Sequence, residues 1–189
     1  MSAPMLRGYM LQRANRFIDQ YFQVAEASKI KAGFPASLRT ALQELKPAEW
    51  YPREHCIVMH RSIAEAAGPA GAYEALVSLG EFMATEATNT FLQLALRLLN
   101  PVLFCKKVPT FWSRDHSAGE FSVVGMDADA KRIEMRLSKV EHFDHVGAAS
   151  VGFLRFGMKA VGAQATIEQL GWSLEKPAPA EIQYTITWA

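Results

Sequence analysis

Reactive and strongly charged features are scarce in this sequence. It holds only two cysteines, Cys56 and Cys105, with no CxxC spacing, which argues against a disulfide framework or a structural zinc site. Neither of the two standard glycine-rich phosphate loops is present, so no nucleotide cradle is written into the chain. Neither sign of charge dominates: 20 Lys and Arg stand against 19 Asp and Glu, a balance unlike that of a nucleic-acid or polybasic membrane-binding surface. The longest uncharged run of the central apolar stretch, Ala87 to Leu96, falls far short of the roughly 20 residues that span a bilayer. The opening Met1-Ser2-Ala3-Pro4 lacks the basic flank and apolar core of an export signal. Long linkers, low-complexity segments and internal repeats beyond two hairpins are absent as well. Together these absences predict one cytoplasmic domain over residues 1–189, with no transmembrane segment, no nucleic-acid partner, no metal and no cofactor.

What the chain does hold is an apolar centre. Between Gly71 and Asn100, Tyr73, Leu76, Gly80, Met83, Ala87, Leu94 and Leu98 recur at helical spacing, and Phe82, Phe91, Ala95 and Leu99 widen the same face. Only Glu74, Glu81, Glu86 and Arg97 carry charge there, so the stretch reads as a long central helix covered on most sides. It is expected to begin after Gly68-Pro69-Ala70-Gly71 and to stop before Pro101, with Thr88-Asn89-Thr90 as a point where it splits. Residues Met5 to Gln23 form an amphipathic helix by the same criterion. Ser28 to Gly33 reads as a polar link, Pro35 to Leu45 as a short helix, and Arg53 to Ala67 as a further helix ended by Gly68-Pro69. Val102 to Trp112 reads as a mixed apolar segment broken by Pro109.

The period then changes from helix to strand. Glu120 to Met126 and Lys131 to Val140 read as an antiparallel hairpin. In its second arm Ile133, Met135 and Leu137 alternate with Arg132, Glu134 and Arg136. Val146 to Val161 is helical, and Ala165 to Leu174 with Glu181 to Trp188 form two more strands. Helices followed by β-β-α-β-β predict an α+β fold, with N-terminal helices and a long central helix packed on one face of an antiparallel sheet of about four strands. The helical part covers about residues 1–112 and the sheet-rich part about 113–189.

Few constellations carry chemistry. Cys56 and His60 stand four apart on one predicted helix, with His55 adjacent, and read as a buried thiol beside a satisfied histidine in preference to a metal edge. His142, Asp144 and His145 sit where a strand hands over to a helix, and helix capping is the favoured role over an acid–base cluster. His116 follows Arg114-Asp115 in a polar loop and reads as exposed. Gly147, Gly152, Gly157 and Gly162 recur every five residues, which suits close packing of helix on sheet, with room for a ligand as the alternative. Trp50, Tyr51, Phe91, Phe111, Trp112 and Phe153 are the candidate lining of an apolar slot, although such side chains are more often plain core. Lys106-Lys107 reads as a solvated pair.

A set of short motifs covers nearly the whole chain in order: Arg7-Gly8-Tyr9 with Phe17-Ile18, Trp50-Tyr51-Pro52, Leu79-Gly80, Pro109-Thr110-Phe111-Trp112, and Ile186-Thr187-Trp188. In these the sequence resembles a paralogous family of uncharacterised myxobacterial domains. The layout is also similar to a wider fold group of 4-vinyl-reductase-type domains, Golgi transport-particle subunits that hold an acyl chain, and haem-based nitric-oxide sensors. The resemblance implies helices on an antiparallel sheet, frequent homodimers, and an apolar pocket used for binding or regulation. The Tyr-x-Ser-x-Arg motif by which haem sensors grip propionates is absent, as is the cysteine cluster of some vinyl-reductase-type domains. Haem and family catalytic residues therefore do not carry over. The leading expectation is a non-enzymatic regulatory or sensory module that binds a small apolar molecule, as a homodimer. A protein-interaction scaffold with a filled core is the alternative, and a small enzyme built on Cys56/His60 or His142/Asp144/His145 ranks last.

Overall fold

The computed structural model describes residues 3–88, 95–140, 144–172 and 181–189. The chain opens on a three-residue strand, β1 (Met5–Arg7), and not on helix as expected. β1 pairs antiparallel with β2 (Trp50–Pro52), so that Leu6 lies opposite Tyr51. Helix α1 (Gly8–Tyr21) follows, burying Leu11, Ala14, Phe17 and Ile18 along one stripe. At its start a Cβ on Gly8 would lie 2.5 Å from the Lys46 carbonyl and 2.8 Å from the Tyr51 ring, so only glycine lets the helix leave the ribbon here.

The expected polar link is instead helix α2 (Val24–Ala32). Gln23 and Glu26 form a reciprocal capping box at its start, satisfying end donors that would otherwise disfavour so short a helix, and Ala27 and Ile30 anchor it to the core. Helix α3 (Ala36–Gln43) is held by buried Leu38.

Helix α4 (Arg53–Ala87) carries the core. It is broken only at Gly68, whose φ of 71° and ψ of 168° leave the helical region. Glycine alone takes that geometry without strain, and Pro69 restarts the helix at a position that needs no N–H donor. The second half thus begins at Pro69, three residues before the expected start. It also stops earlier than expected: Thr88 caps it, its N–H bonding the Thr85 carbonyl and its Oγ1 donating to the Ala84 carbonyl at 2.6 Å. Leu98, assigned to the apolar face of a helix reaching Asn100, is 86 % exposed. The rest of the expected split, Asn89-Thr90, lies outside the described residues.

Helix α5 (Pro101–Asp115) runs through Pro109, where the sequence had suggested a break. Asn100 caps it by accepting from the Leu103 N–H at 2.8 Å. Phe104, Cys105, Val108 and Trp112 bury one side, and that packing outweighs the roughly 3 kcal/mol an internal proline costs.

The hairpin β3 (Glu120–Asp127) and β4 (Arg132–Ser138) is followed by helix α6 (Asp144–Ala160) and by β5 (Ala165–Leu170) and β6 (Glu181–Trp188). The four strands form one antiparallel sheet in the order β3-β4-β6-β5. Ile133, Met135 and Leu137 of β4 stand opposite Ile186, Tyr184 and Ile182 of β6, and all six are buried on one face. The other face carries the ion pairs Arg132–Glu134 and Arg136–Glu181. The fold is therefore the expected α+β arrangement, a central helix and its neighbours against one face of a four-stranded sheet. Among the described residues no helix is long and apolar enough to cross a membrane.

Glycines set how α4 and α6 meet. A Cβ on Gly80 would lie 1.8 Å from the Ala149 carbonyl oxygen, and one on Gly152 would lie 1.9 Å from that of Val77. The five-residue glycine series thus packs mainly helix on helix. Gly152 meets α4 and Gly157 meets the Phe104 ring of α5, whereas only Gly147 faces the sheet, at Gln169 and Ile182.

Candidate functional site

The close approach of α4 and α6, with α1 and α5 across from them, leaves a cavity of about 130 Å³. Small residues from the two close-packed helices (Gly80, Ala84, Ala149 and Gly157) make room, and Phe104, Val108, Phe111 and Phe153 form an apolar wall. The three phenylalanine rings interlock, with centroids 6.1 to 6.5 Å apart. Arg13, Cys56, His60, Asp115 and His116 supply the polar lining.

Cys56 and His60 share a helix face, with Sγ 3.3 Å from Nε2. Burial pushes the Cys56 thiol up to about 12. Burial, and then the charge of His145, pushes the His60 imidazole down to about 3. A cysteine nucleophile needs a thiolate beside an imidazolium, and both shifts oppose that ion pair. The contact is therefore one between a neutral thiol and a neutral imidazole. His60 is not fully satisfied, since its buried Nδ1 lacks a hydrogen-bond partner among the described residues.

His116 is half-buried and not exposed as expected. Its ring stacks on Trp112 at 3.8 Å, with the planes 9° apart. Burial lowers its pKa well below the ordinary value, and the nearby Arg53 and His60 charges act in the same direction. Arg53 anchors this corner by donating to the Ala118 carbonyl at 3.0 Å, and its guanidinium lies 5.5 Å from the Trp112 ring.

A second polar group joins α1 to α5. Asp115 accepts the Tyr9 hydroxyl and both Arg114 Nε, at 2.6 Å, and Arg114 Nη2, at 2.8 Å. Burial and the Asp115 carboxylate together push the Tyr9 hydroxyl up to about 12, so it stays a donor. Tyr9→Phe is expected to cost about 2 kcal/mol, the scale for one hydrogen bond to a charged group. Urea unfolding at neutral pH measures it, and a loss under 0.5 kcal/mol would show that the contact contributes little.

The sequence candidates divide. Phe111, Trp112 and Phe153 line the cavity. Trp50 and Tyr51 lie on the β1–β2 ribbon instead: Trp50 is exposed beneath the Arg7 guanidinium, 4.1 Å away, and the Tyr51 hydroxyl accepts the Lys46 N–H at 3.0 Å. Phe91 and His142 lie outside the described residues. Asp144 begins α6. His145 is half-buried, its pKa lowered by burial and then by Arg61. Lys106 and Lys107 are exposed on α5. Among the described residues no cluster of three or more His, Cys, Asp or Glu is placed to hold a metal ion. Sequence reasoning passed over Arg13 and the Tyr9–Asp115–Arg114 group. The one available signal was a charged residue, Arg13, one turn beyond Met10 in the amphipathic first helix.

No protein-family profile matches the sequence, and no curated protein matches it. Solved structures do match in fold. The Fe(II) unliganded H-NOX protein from K. algicida superposes with a TM-score of 0.74 at 11% identity, covering 97% of both chains. An H-NOX protein from S. oneidensis in the Fe(II)NO ligation state gives 0.70 at 8% identity, covering 97% of this chain and 99% of that one. An H-NOX structure from T. tengcongensis gives 0.64 at 11% identity, covering 97% of each. The chain has the H-NOX fold.

Proposed function

We propose that this protein is a non-enzymatic sensory or regulatory module that holds a small, mainly apolar molecule between its helices and sheet. The observation that carries this reading is the cavity itself, an apolar space at the junction of α1, α4, α5 and α6. Close-packed interiors seldom keep such a void, and one of similar size, about 150 Å³, takes up benzene. The neutral Cys56–His60 pair supports a binding role over a nucleophilic one. The ordered motifs from Arg7-Gly8-Tyr9 to Ile186-Thr187-Trp188 keep the myxobacterial paralogues as the proposed sequence family.

The solved neighbours are iron-ligating H-NOX proteins, but the residues here do not fit a haem. At about 130 Å³ the cavity is below the roughly 300–1,000 Å³ of sites for much smaller ligands than a porphyrin, and Phe104, Phe111 and Phe153 interlock along its wall. Of the histidines lining it, His60 is engaged by Cys56 and His116 is stacked flat on Trp112. A ligand of one aromatic ring matches the space.

Native mass spectrometry of the purified chain tests the reading, together with a toluene titration followed by thermal unfolding. A non-covalent mass lost on denaturation, or a toluene-dependent rise in Tm, is the expected result. Ala84→Phe, which places a ring in the cavity, should abolish either signal. No bound mass together with a Tm indifferent to toluene would overturn it. The same spectra report whether two copies associate, the homodimer we include in this proposal.

A further inference from the structure

We propose that the ligand is a small amphipathic carboxylate, its anionic group held by Arg13 and its apolar body lying against Phe104, Phe111 and Phe153. This deepens the binding-module reading and rests on it.

The charges around the cavity are unevenly paired. Arg114 and Asp115 both reach the cavity, but their charges cancel in a two-point ion pair, and Asp115 also accepts from Tyr9. Arg13 lies beside them on α1, its guanidinium 4.6 Å over the Tyr9 ring. No carboxylate among the described residues pairs with it. Asp115 is taken by Arg114, and Glu86, the other nearby acid, is held by Arg16 at 2.6 Å. Arg13 is half-buried and lines the cavity, so its charge is partly withdrawn from water, and burial lowers its pKa. Arginine nevertheless stays protonated near neutral pH.

A partly desolvated cation with no carboxylate partner among the described residues, next to a mainly apolar space, is a specific recognition element. A guanidinium presents a planar fork of donors that matches a carboxylate in two-point geometry. The Tyr9 ring lies against that guanidinium, and the hydrogen bond to Asp115 holds Tyr9 in place. The cluster that escaped the sequence reading thus orients the anion site without itself binding the anion. The interlocked rings beyond Arg13 accept one aromatic or short branched aliphatic body, and the volume admits little more. Neutral apolar molecules would fill the rings and leave Arg13 unused.

Benzoate and toluene separate the possibilities, because they differ only in carboxylate against methyl. NMR titration of the full chain with each, and of the Arg13→Gln variant, reads the result. Wild-type protein is expected to bind benzoate at least about 10-fold more tightly than toluene. Arg13→Gln is expected to weaken benzoate by about 10- to 100-fold, the range for a charge-assisted contact, while leaving toluene unchanged. Benzoate binding no tighter than toluene, or equally tight in Arg13→Gln, overturns the carboxylate assignment and leaves the apolar cavity reading standing. Failure of both molecules to bind overturns the cavity reading with it. The wild-type comparison decides even if the variant is unstable.

Discussion

Gly80→Ala and Gly152→Ala will each destabilise the protein by about 3 kcal/mol or more, at the upper end of what overpacking costs. The added methyl meets backbone and not a side chain that could turn away. From Gly80 it lands 1.8 Å from the Ala149 carbonyl oxygen, and from Gly152 it lands 1.9 Å from that of Val77 and 2.6 Å from the Glu81 nitrogen. Relief requires α4 and α6 to separate, which loosens the pair that carries the central core and reshapes the cavity beside Gly80. Gly71→Ala is the internal control. Its Cβ would meet only Ala67 at an ordinary 3.5 Å, so the change should be neutral or stabilise by up to about 1 kcal/mol through helix propensity. Thermal unfolding of the three variants is the measurement. For a chain of this length the two destabilised proteins should melt roughly 6–12 °C lower. A Gly152→Ala protein as stable as Gly71→Ala would mean that the helices are not in contact there.

Acid will destabilise the fold from near neutrality, before ordinary carboxylates begin to titrate. His60 has a pKa of 6.5 when unfolded and about 3 when folded, chiefly because burial penalises its charged form. Between those values the unfolded chain holds the proton and the folded chain does not. Stability therefore rises with pH across the window and is lost as pH falls. At about 1.36 kcal/mol per unit the whole window is worth about 5 kcal/mol for this one group, and the fall from pH 7 to pH 5 is worth about 2 kcal/mol. His116 acts in the same direction, through burial and then the charge of Arg53. Urea midpoints at pH 7 and pH 5 give the slope, and His60→Gln should flatten it by about the stated amount. An unchanged slope in His60→Gln would assign the acid sensitivity elsewhere.

The legible parts of the fold are those in which burial follows a short period. Ile133, Met135 and Leu137, like Ile182, Tyr184 and Ile186, alternate with polar neighbours, and all six are buried in the sheet. The apolar repeat from Tyr73 to Met83 likewise belongs to the central helix. Features decided by local competition were misread. Helix α2 depends on a Gln23–Glu26 capping box that its weak apolar pattern hides, α5 passes through Pro109 because four buried residues outweigh the proline, and β1 is held by distant partners, β2 and a bridge to His116. Of the candidate lining residues, Phe111, Trp112 and Phe153 come together at the cavity, and Trp50 and Tyr51 lie on the ribbon.

The sequence by itself determined the β-β-α-β-β order of the C-terminal half, the buried faces of β4 and β6 and of the central helix up to Met83, and the absence of a written phosphate loop or zinc motif, because these depend on residues within a turn or two of one another. Only the tertiary structure decided that the glycines join α6 to α4, that Cys56 and His60 are held neutral, and that Asp115 occupies Arg114 and Tyr9 while Arg13 stands by the apolar rings. Tyr9 and Asp115 are 106 residues apart in the chain. Contacts between such distant residues, and the dielectric each one feels, are set by how helices close on one another, and no local period encodes that distance.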